Sequence, residues 1–335
     1  MRRREVIAGV ASALFAPRGV FAQAGSKRRI GYLAAHQVSD PLNVTRIAAL
    51  EQGLAEFGWK RGGNLEIDYR IIGNVNPQAA AREIVASRPD VIVCIASNAL
   101  AALMAETADI PIVFVHVIDP LNLGFVANLN RPGGNVTGFS NYESSIFAKQ
   151  VDLFLQAVPK IQKLTVMQNP DAWSYGPLRK VAKSDGDRTY FSLALGYSGA
   201  SGVDEVFVRD IPEIEQAFAR LAGKPEAGVF MSIDIFMVNN RASMIELAAK
   251  YRIAMHVSYP LYVTEGGLIS YGVEPYDLYR RAGAYVDKIL KGVKAGELPV
   301  QLPIKFQLAL NLKTAAALGI EFPTQIIARA DEIIE

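Results

Sequence analysis

The feature that most constrains the fold is the run Ile110-Pro111-Ile112-Val113-Phe114-Val115, apolar throughout and without polar alternation. A β-branched and aromatic run of this length suits a strand covered on both faces, as in a parallel sheet under helices. The run stops at His116, and Asp119-Pro120 follows. Polar groups there sit just past the carboxyl end of a central strand, where open α/β sheets place their ligands. Arg131-Pro132-Gly133-Gly134-Asn135-Val136-Thr137-Gly138 comes next, too rich in glycine for a helix or strand. It reads either as the approach to a crossover between two lobes or as an ordinary surface turn.

Around this run the chain keeps a strand–helix rhythm. Arg29–Ala34 and the fully apolar Val91–Ala96 predict strands, and Asn64–Ile72 alternates like an edge strand with one face partly exposed. Asn43–Trp59, with Ile47, Leu50, Leu54 and Phe57 at helical spacing, predicts a helix between the first two strands; Pro77–Ser87 and Asn98–Ala108 predict two more. The second half repeats the pattern. Strands are expected at Lys163–Gln168, Glu205–Arg209, Gly228–Ile233 and Ile253–Val257, with helices at Phe147–Val158, Ile211–Ala222, Val238–Tyr251 and Tyr276–Lys291. Asp171–Gly202 has no clean period and predicts one irregular helix. Strands alternating with helices argue a parallel, doubly wound sheet in each half. The expected architecture is α/β, two Rossmann-like lobes with parallel sheets joined by a three-segment hinge. Lobe 1 is expected to hold 27–140 plus 265–295, lobe 2 to hold 141–264 plus 303–335, and the glycine-rich segments 131–138, 265–272 and 292–303 to cross between them.

Residues 1–24 read as an export signal peptide. Arg2, Arg3 and Arg4 precede the apolar stretch Val6–Ala16, which is too short to span a bilayer stably. Small residues place cleavage near Ala22 or Ala24; the Arg3-Arg4 pair suits a twin-arginine route, and a general secretory route is the alternative. The net charge of +2 is concentrated there: without the first 22 residues the chain holds 31 basic against 32 acidic residues. A near-neutral mature chain gives no electrostatic case for a nucleic-acid partner. The single cysteine, Cys94, lies in an apolar run and reads as a buried hydrophobe, and its count excludes a disulfide.

Motifs for catalysis are missing. Gly196-Tyr197-Ser198-Gly199-Ala200 departs from the nucleophile elbow at its last position, and there is no Walker A sequence. His36, His116 and His256 lack metal-ligand spacing, so no metal or cofactor is expected. Binding groups are better represented. Ser97-Asn98 sits between a buried strand and the next helix, where free backbone N–H groups can hold a carboxylate, or where the two residues merely cap their own helix. Asp119 and Asp234 each follow a strand, one in each half; they could face an ammonium group, or each could open a turn. His36-Gln37 follows the first strand. Asn169, Trp173, Tyr175, Tyr259 and Tyr262 supply polar and aromatic groups past strand ends in the second half.

At these residues a resemblance enters. DPLNLGFVANLNRPGGNVTGFS is similar to the signature of ABC-transporter substrate-binding proteins of the tryptophan/tyrosine type. GGLISYGVEPYDLYRRAGAYVDKILKG and LPVQLPIKFQLALNLKTAAALGI resemble its second signature region, and the likeness covers about residues 28–335. It implies a type I periplasmic-binding-protein fold, a monomer holding an amino-acid-like or aromatic ligand in its cleft, and delivery to an inner-membrane ABC permease driven by a separate ATPase. A ligand-sensing subunit for a signalling receptor, or a cleft enzyme on the same scaffold, are the alternatives. Carried over, the ligand contacts fall on His36 and Gln37, on Ser97 and Asn98, near His116 and Asp119, and on Asp234. Two departures stand out: the irregular Asp171–Gly202 stretch, which bears on Trp173 and Tyr175, and His116, which interrupts a usually plainer apolar stretch and bears on the ligand.

Overall fold

The computed structural model describes residues 27–335 apart from residue 74, residues 142–143 and residues 172–202. The expected export segment, Trp173, Tyr175 and the expected irregular helix therefore lie outside the described residues.

The first lobe runs β1 (Arg28–Ala34), α1 (Leu42–Ala55), β2 (Leu65–Ile71), α2 (Gln78–Ala86), β3 (Val91–Ile95), α3 (Ser97–Glu106), β4 (Ile112–Val117) and β5 (Val136–Ser140). Its five strands are all parallel, in the order β2-β1-β3-β4-β5. The two continuous apolar runs, β3 and β4, occupy the interior and are buried along their whole length, while the alternating β2 is an edge. Cys94 lies fully buried in β3, as its apolar setting suggests.

The second lobe runs α4 (Ser144–Ala157), β6 (Lys163–Gln168), β7 (Val203–Phe207), α5 (Ile211–Leu221), β8 (Ala227–Met231), α6 (Ile235–Asn239), α7 (Arg241–Tyr251), β9 (Ala254–His256), α8 (Leu261–Thr264) and β10 (Ile269–Val273). After α9 (Pro275–Leu290) the chain adds β11 (Phe306–Asn311), α10 (Leu312–Leu318), α11 (Thr324–Ile327) and β12 (Glu332–Ile334). The strand order is β12-β11-β10-β9-β8-β6-β7, and β10 meets β11 antiparallel while the other pairs are parallel. The helix expected over Val238–Tyr251 starts earlier and is two helices, broken at Asn240.

The assignment of 265–295 to lobe 1 needs correction. β10 hydrogen-bonds to β9 and β11 and so belongs to the second sheet, whereas α9 packs along α1 of the first lobe. The two helices approach backbone to backbone through Gly53 and Gly283; a side-chain carbon at either would collide with main-chain atoms of the other helix. The chain thus crosses after Val273, not within 265–272. The 131–138 stretch likewise stays in lobe 1, and it is not all turn: Val136-Thr137-Gly138, expected to be too rich in glycine for a strand, open β5, so the crossing falls after Ser140. There β5 pairs with the returning chain: Ser140 N–H donates to the Gln301 carbonyl at 2.9 Å, and Gln301 N–H donates to the Gly138 carbonyl at 2.9 Å. Among the described residues no helix is long and apolar enough to cross a membrane.

Candidate functional site

The carboxyl ends of both sheets meet across a cavity of about 660 Å³ lined from both lobes. On the first-lobe side stand His36, Arg46, Asn76, Ser97, Asn98, His116 and Ile118; on the other stand Asn169, Ile233, Ile235, Phe236, Val238, Tyr259, Leu261 and Tyr262. Asn141, at the first crossover, lies in the wall between them.

Backbone geometry aims several of these groups. β4 carries a register shift at His116, whose φ of 57° breaks the pleat so that the imidazole reaches the cavity wall. Its ring lies parallel to Tyr259 at 5.6 Å and edge-on to Tyr279 at 5.2 Å. Ala96, before α3, has φ 80° and ψ 155°, a region that costs a non-glycine residue about 1–3 kcal/mol. With alanine at the cap position, no side chain caps α3. Ser97 Oγ accepts the Ile118 N–H at 3.3 Å, and Asn98 Oδ1 accepts the Ala99 N–H at 2.9 Å. The Ser97 and Asn98 N–H groups have no acceptor among the described residues, leaving two donors of the first turn open at the cavity.

His36 is buried, and its Nε2 lies 2.8 Å from the Tyr279 hydroxyl. Burial first, then the positive charge of Arg46, holds its imidazole well below the usual range, so it is neutral. Asn141 Nδ2 donates to the Tyr259 hydroxyl at 2.6 Å. Burial pushes that hydroxyl up to about 12, so it keeps its proton. Two buried wall atoms, His36 Nδ1 and Asn141 Oδ1, have no hydrogen-bond partner.

The expected site residues divide. His36, Ser97, Asn98, His116, Asn169 and Tyr259 line the one cavity, whereas Gln37, Asp119 and Asp234 do not. Asp119 accepts hydrogen bonds from the Asn122 N–H and side-chain amide at 3.2 and 2.7 Å; it closes a turn. Asp234 caps α6. Its Oδ1 accepts the Met237 N–H at 2.9 Å, and its Oδ2 accepts the Ser232 hydroxyl at 2.7 Å and the Asn169 N–H at 3.1 Å. Burial pushes its carboxyl up, and these donors work against that rise. Asn169 is itself held at both ends: its side-chain amide donates to the Val208 carbonyl and accepts the Asp171 N–H.

Gln37 serves a different purpose. Its N–H donates to Asn239 Oδ1 at 2.8 Å, and Asn239 Nδ2 donates to the Ala35 carbonyl at 3.0 Å, tying α6 to the loop after β1. Beside this tie, Arg241 of α7 grips both carboxylate oxygens of Asp40 at 3.0 and 3.1 Å, while Arg46 Nη1 donates to Asp40 Oδ2 at 2.8 Å. Arg241 also pairs with Glu265 at 2.7 Å and lies over the Tyr262 ring. Burial raises the Asp40 carboxyl, but the two guanidinium groups overcome it and hold the group below its ordinary range.

Sequence reasoning missed Arg46, Asn141, Asn239 and Arg241. For Arg46 there was a signal. It lies four residues before Leu50 on the helix stripe that is buried at Asn43, Arg46, Leu50, Gly53 and Leu54, and a charge on an apolar stripe calls for a buried partner.

A cleft lined from two α/β lobes, with the chain crossing between them three times, defines a bilobal binding protein of the type I periplasmic-binding-protein kind. The chain belongs to the ABC transporter substrate binding protein family, which it matches over residues 34–334. It is 28% identical over 298 residues to a tyrosine-binding protein of Clostridioides difficile strain R20291, covering 87% of this chain and 80% of that one. Its fold is similar to that of the ABC domain in complex with L-Trp from Streptococcus pneumonia (TM-score 0.79, 23% identity, 92% of this chain and 100% of that one). Against the ligand-free, open structure of a substrate binding protein with adhesive properties from Clostridium difficile the TM-score is 0.61, at 23% identity and covering 92% of this chain and 99% of that one.

Proposed function

We propose that this chain is an exported solute-binding protein. It captures a small amino-acid-like or aromatic ligand between its lobes and delivers it, as a periplasmic monomer released from its signal near Ala22 or Ala24, to an ABC permease with a separate ATPase. The observation that carries this reading is the shared cavity. Neither lobe encloses it alone, and the Asn239 and Arg241 bonds to the loop after β1 form only when the lobes are together. Ligand then shifts an open–closed equilibrium by its preference for the closed form. The better superposition on the L-Trp complex than on an open, ligand-free relative, at equal identity, supports a closed arrangement. Ser97 and Asn98 hold an acidic group at the opening of α3, His116 and Tyr259 with Tyr262 cover a ring, and the lobes turn about the crossings after Ser140, after Val273 and near Gln301.

Thermal unfolding of residues 25–335 against a panel of aromatic acids and amino acids tests this. A ligand at about a hundred times its Kd adds about 2.7 kcal/mol, which raises Tm by several degrees. A panel that leaves Tm unmoved at millimolar concentration contradicts the reading.

A further inference from the structure

Resting on the solute-binding reading, we propose that the ligand is an organic monoanion: a ring-bearing carboxylate with an uncharged hydroxyl or amide where an amino acid carries its ammonium group.

The first-lobe wall is built for an anion. Arg46 lines the cavity, and its described hydrogen bonds, to Asp40 and to Asn43, use Nη1 alone. Nε and Nη2 remain for a bidentate carboxylate. The open N–H groups of Ser97 and Asn98 and the positive end of the ten-residue helix α3 face the same cavity.

The counter-charge for an ammonium group is missing among the described residues. Asp234 and Asp119 are off the wall and occupied by their own donors. Asp40 lies between two guanidinium groups. Asp171 is the single carboxylate among the described lining residues; it is exposed and paired with Arg209 at 3.0 Å. Against the described residues, an ammonium group closed into this cavity would lose its water without gaining an anion, and would do so beside Arg46.

What the wall does ask for is a neutral donor. Asn141 and His36, 7% and 3% exposed, line the cavity, and each holds one buried unpartnered atom, Oδ1 and Nδ1. Because Asn141 Nδ2 already donates to Tyr259, the free atom is an acceptor, which a ligand hydroxyl or amide N–H satisfies without charge. The apolar side chains of Ile233, Ile235, Phe236, Val238 and Leu261 on the opposite wall complete the surround of the ring that His116, Tyr259 and Tyr262 cover.

The test is calorimetry of residues 25–335 with two matched series: tyrosine, 4-hydroxyphenyllactate, 3-(4-hydroxyphenyl)propionate and tyramine; and tryptophan, indole-3-lactate, indole-3-propionate and tryptamine. In at least one series the hydroxy acid should bind at least tenfold tighter than the amino acid, and the amine should not bind. Asn141→Asp, which keeps the side-chain shape and adds a carboxylate, should shift the ratio at least tenfold toward the amino acid. An amino acid that binds wild type more tightly than its hydroxy acid overturns the inference while upholding the solute-binding reading. Absence of saturable binding by all eight compounds overturns both.

Discussion

Two of the helices that open onto the cleft, α6 and α3, begin in opposite ways. α6 is capped by Asp234, whose carboxylate takes the Met237 N–H and ties in Ser232 and Asn169. Asp234 thus takes up donors of the first turn, and the residues α6 adds to the cavity wall, Ile235, Phe236 and Val238, are apolar. α3 starts from Ala96, extended at a positive φ of 80°, with no side-chain cap, so its first N–H groups stay open beside Arg46. Two lobes of similar design therefore bring different chemistry to the cavity at these helix starts, open donors beside a guanidinium in one and an apolar surface in the other. A helix terminus is a binding site only where the fold has not already filled it.

Arg46→Met is the strongest way to break that contrast. It removes the guanidinium but keeps much of the volume, and Asp40 retains Arg241 as partner. A hydrogen bond to a charged group is worth about 1.5–3 kcal/mol, so carboxylate affinity should fall roughly ten- to a hundredfold by calorimetry. An unchanged Kd would remove Arg46 from the ligand. Asp234→Ala sharpens the contrast from the other side. Loss of a cap and of a buried acceptor for Ser232 and Asn169 should lower unfolding free energy by about 2–3 kcal/mol in urea. Affinity of the folded fraction should stay within about threefold of wild type. A selective loss of affinity at unchanged stability would put the Asp234 carboxylate on the ligand after all.

Much of the architecture was legible because local pattern and final environment agree. The unbroken runs at Val91–Ala96 and Ile110–Val115 became buried interior strands, and the alternating Asn64–Ile72 became an edge. Lobe membership of Ile269–Val273 was not legible, because its antiparallel partner, Phe306–Asn311, lies across an entire helix that packs in the other lobe. In the candidate site, His36, Ser97 and Tyr259, just past strand ends, line the cavity with His116, which lies not past β4 but inside its carboxyl end, at the register shift. Carboxylates were harder. Asp119 and Asp234 carry the same signal whether they face a ligand or close a turn, and local hydrogen bonds took both. The ties Asn239 to Ala35 and Arg241 to Asp40 join residues about two hundred positions apart, beyond any periodicity.

The central claim is that ligand is held by closing these lobes on each other. Its most direct measurement is the interlobe distance between spin labels on Lys60 and Lys224, both on exposed turns, as the tightest carboxylate of the two series is titrated into wild type and into Asp40→Asn. Wild type should shift from a long to a short distance with saturation, and Asp40→Asn, lacking the full charge between Arg46 and Arg241, should keep a larger long-distance fraction at the same occupancy. A single distance that ligand does not change in wild type would contradict the account.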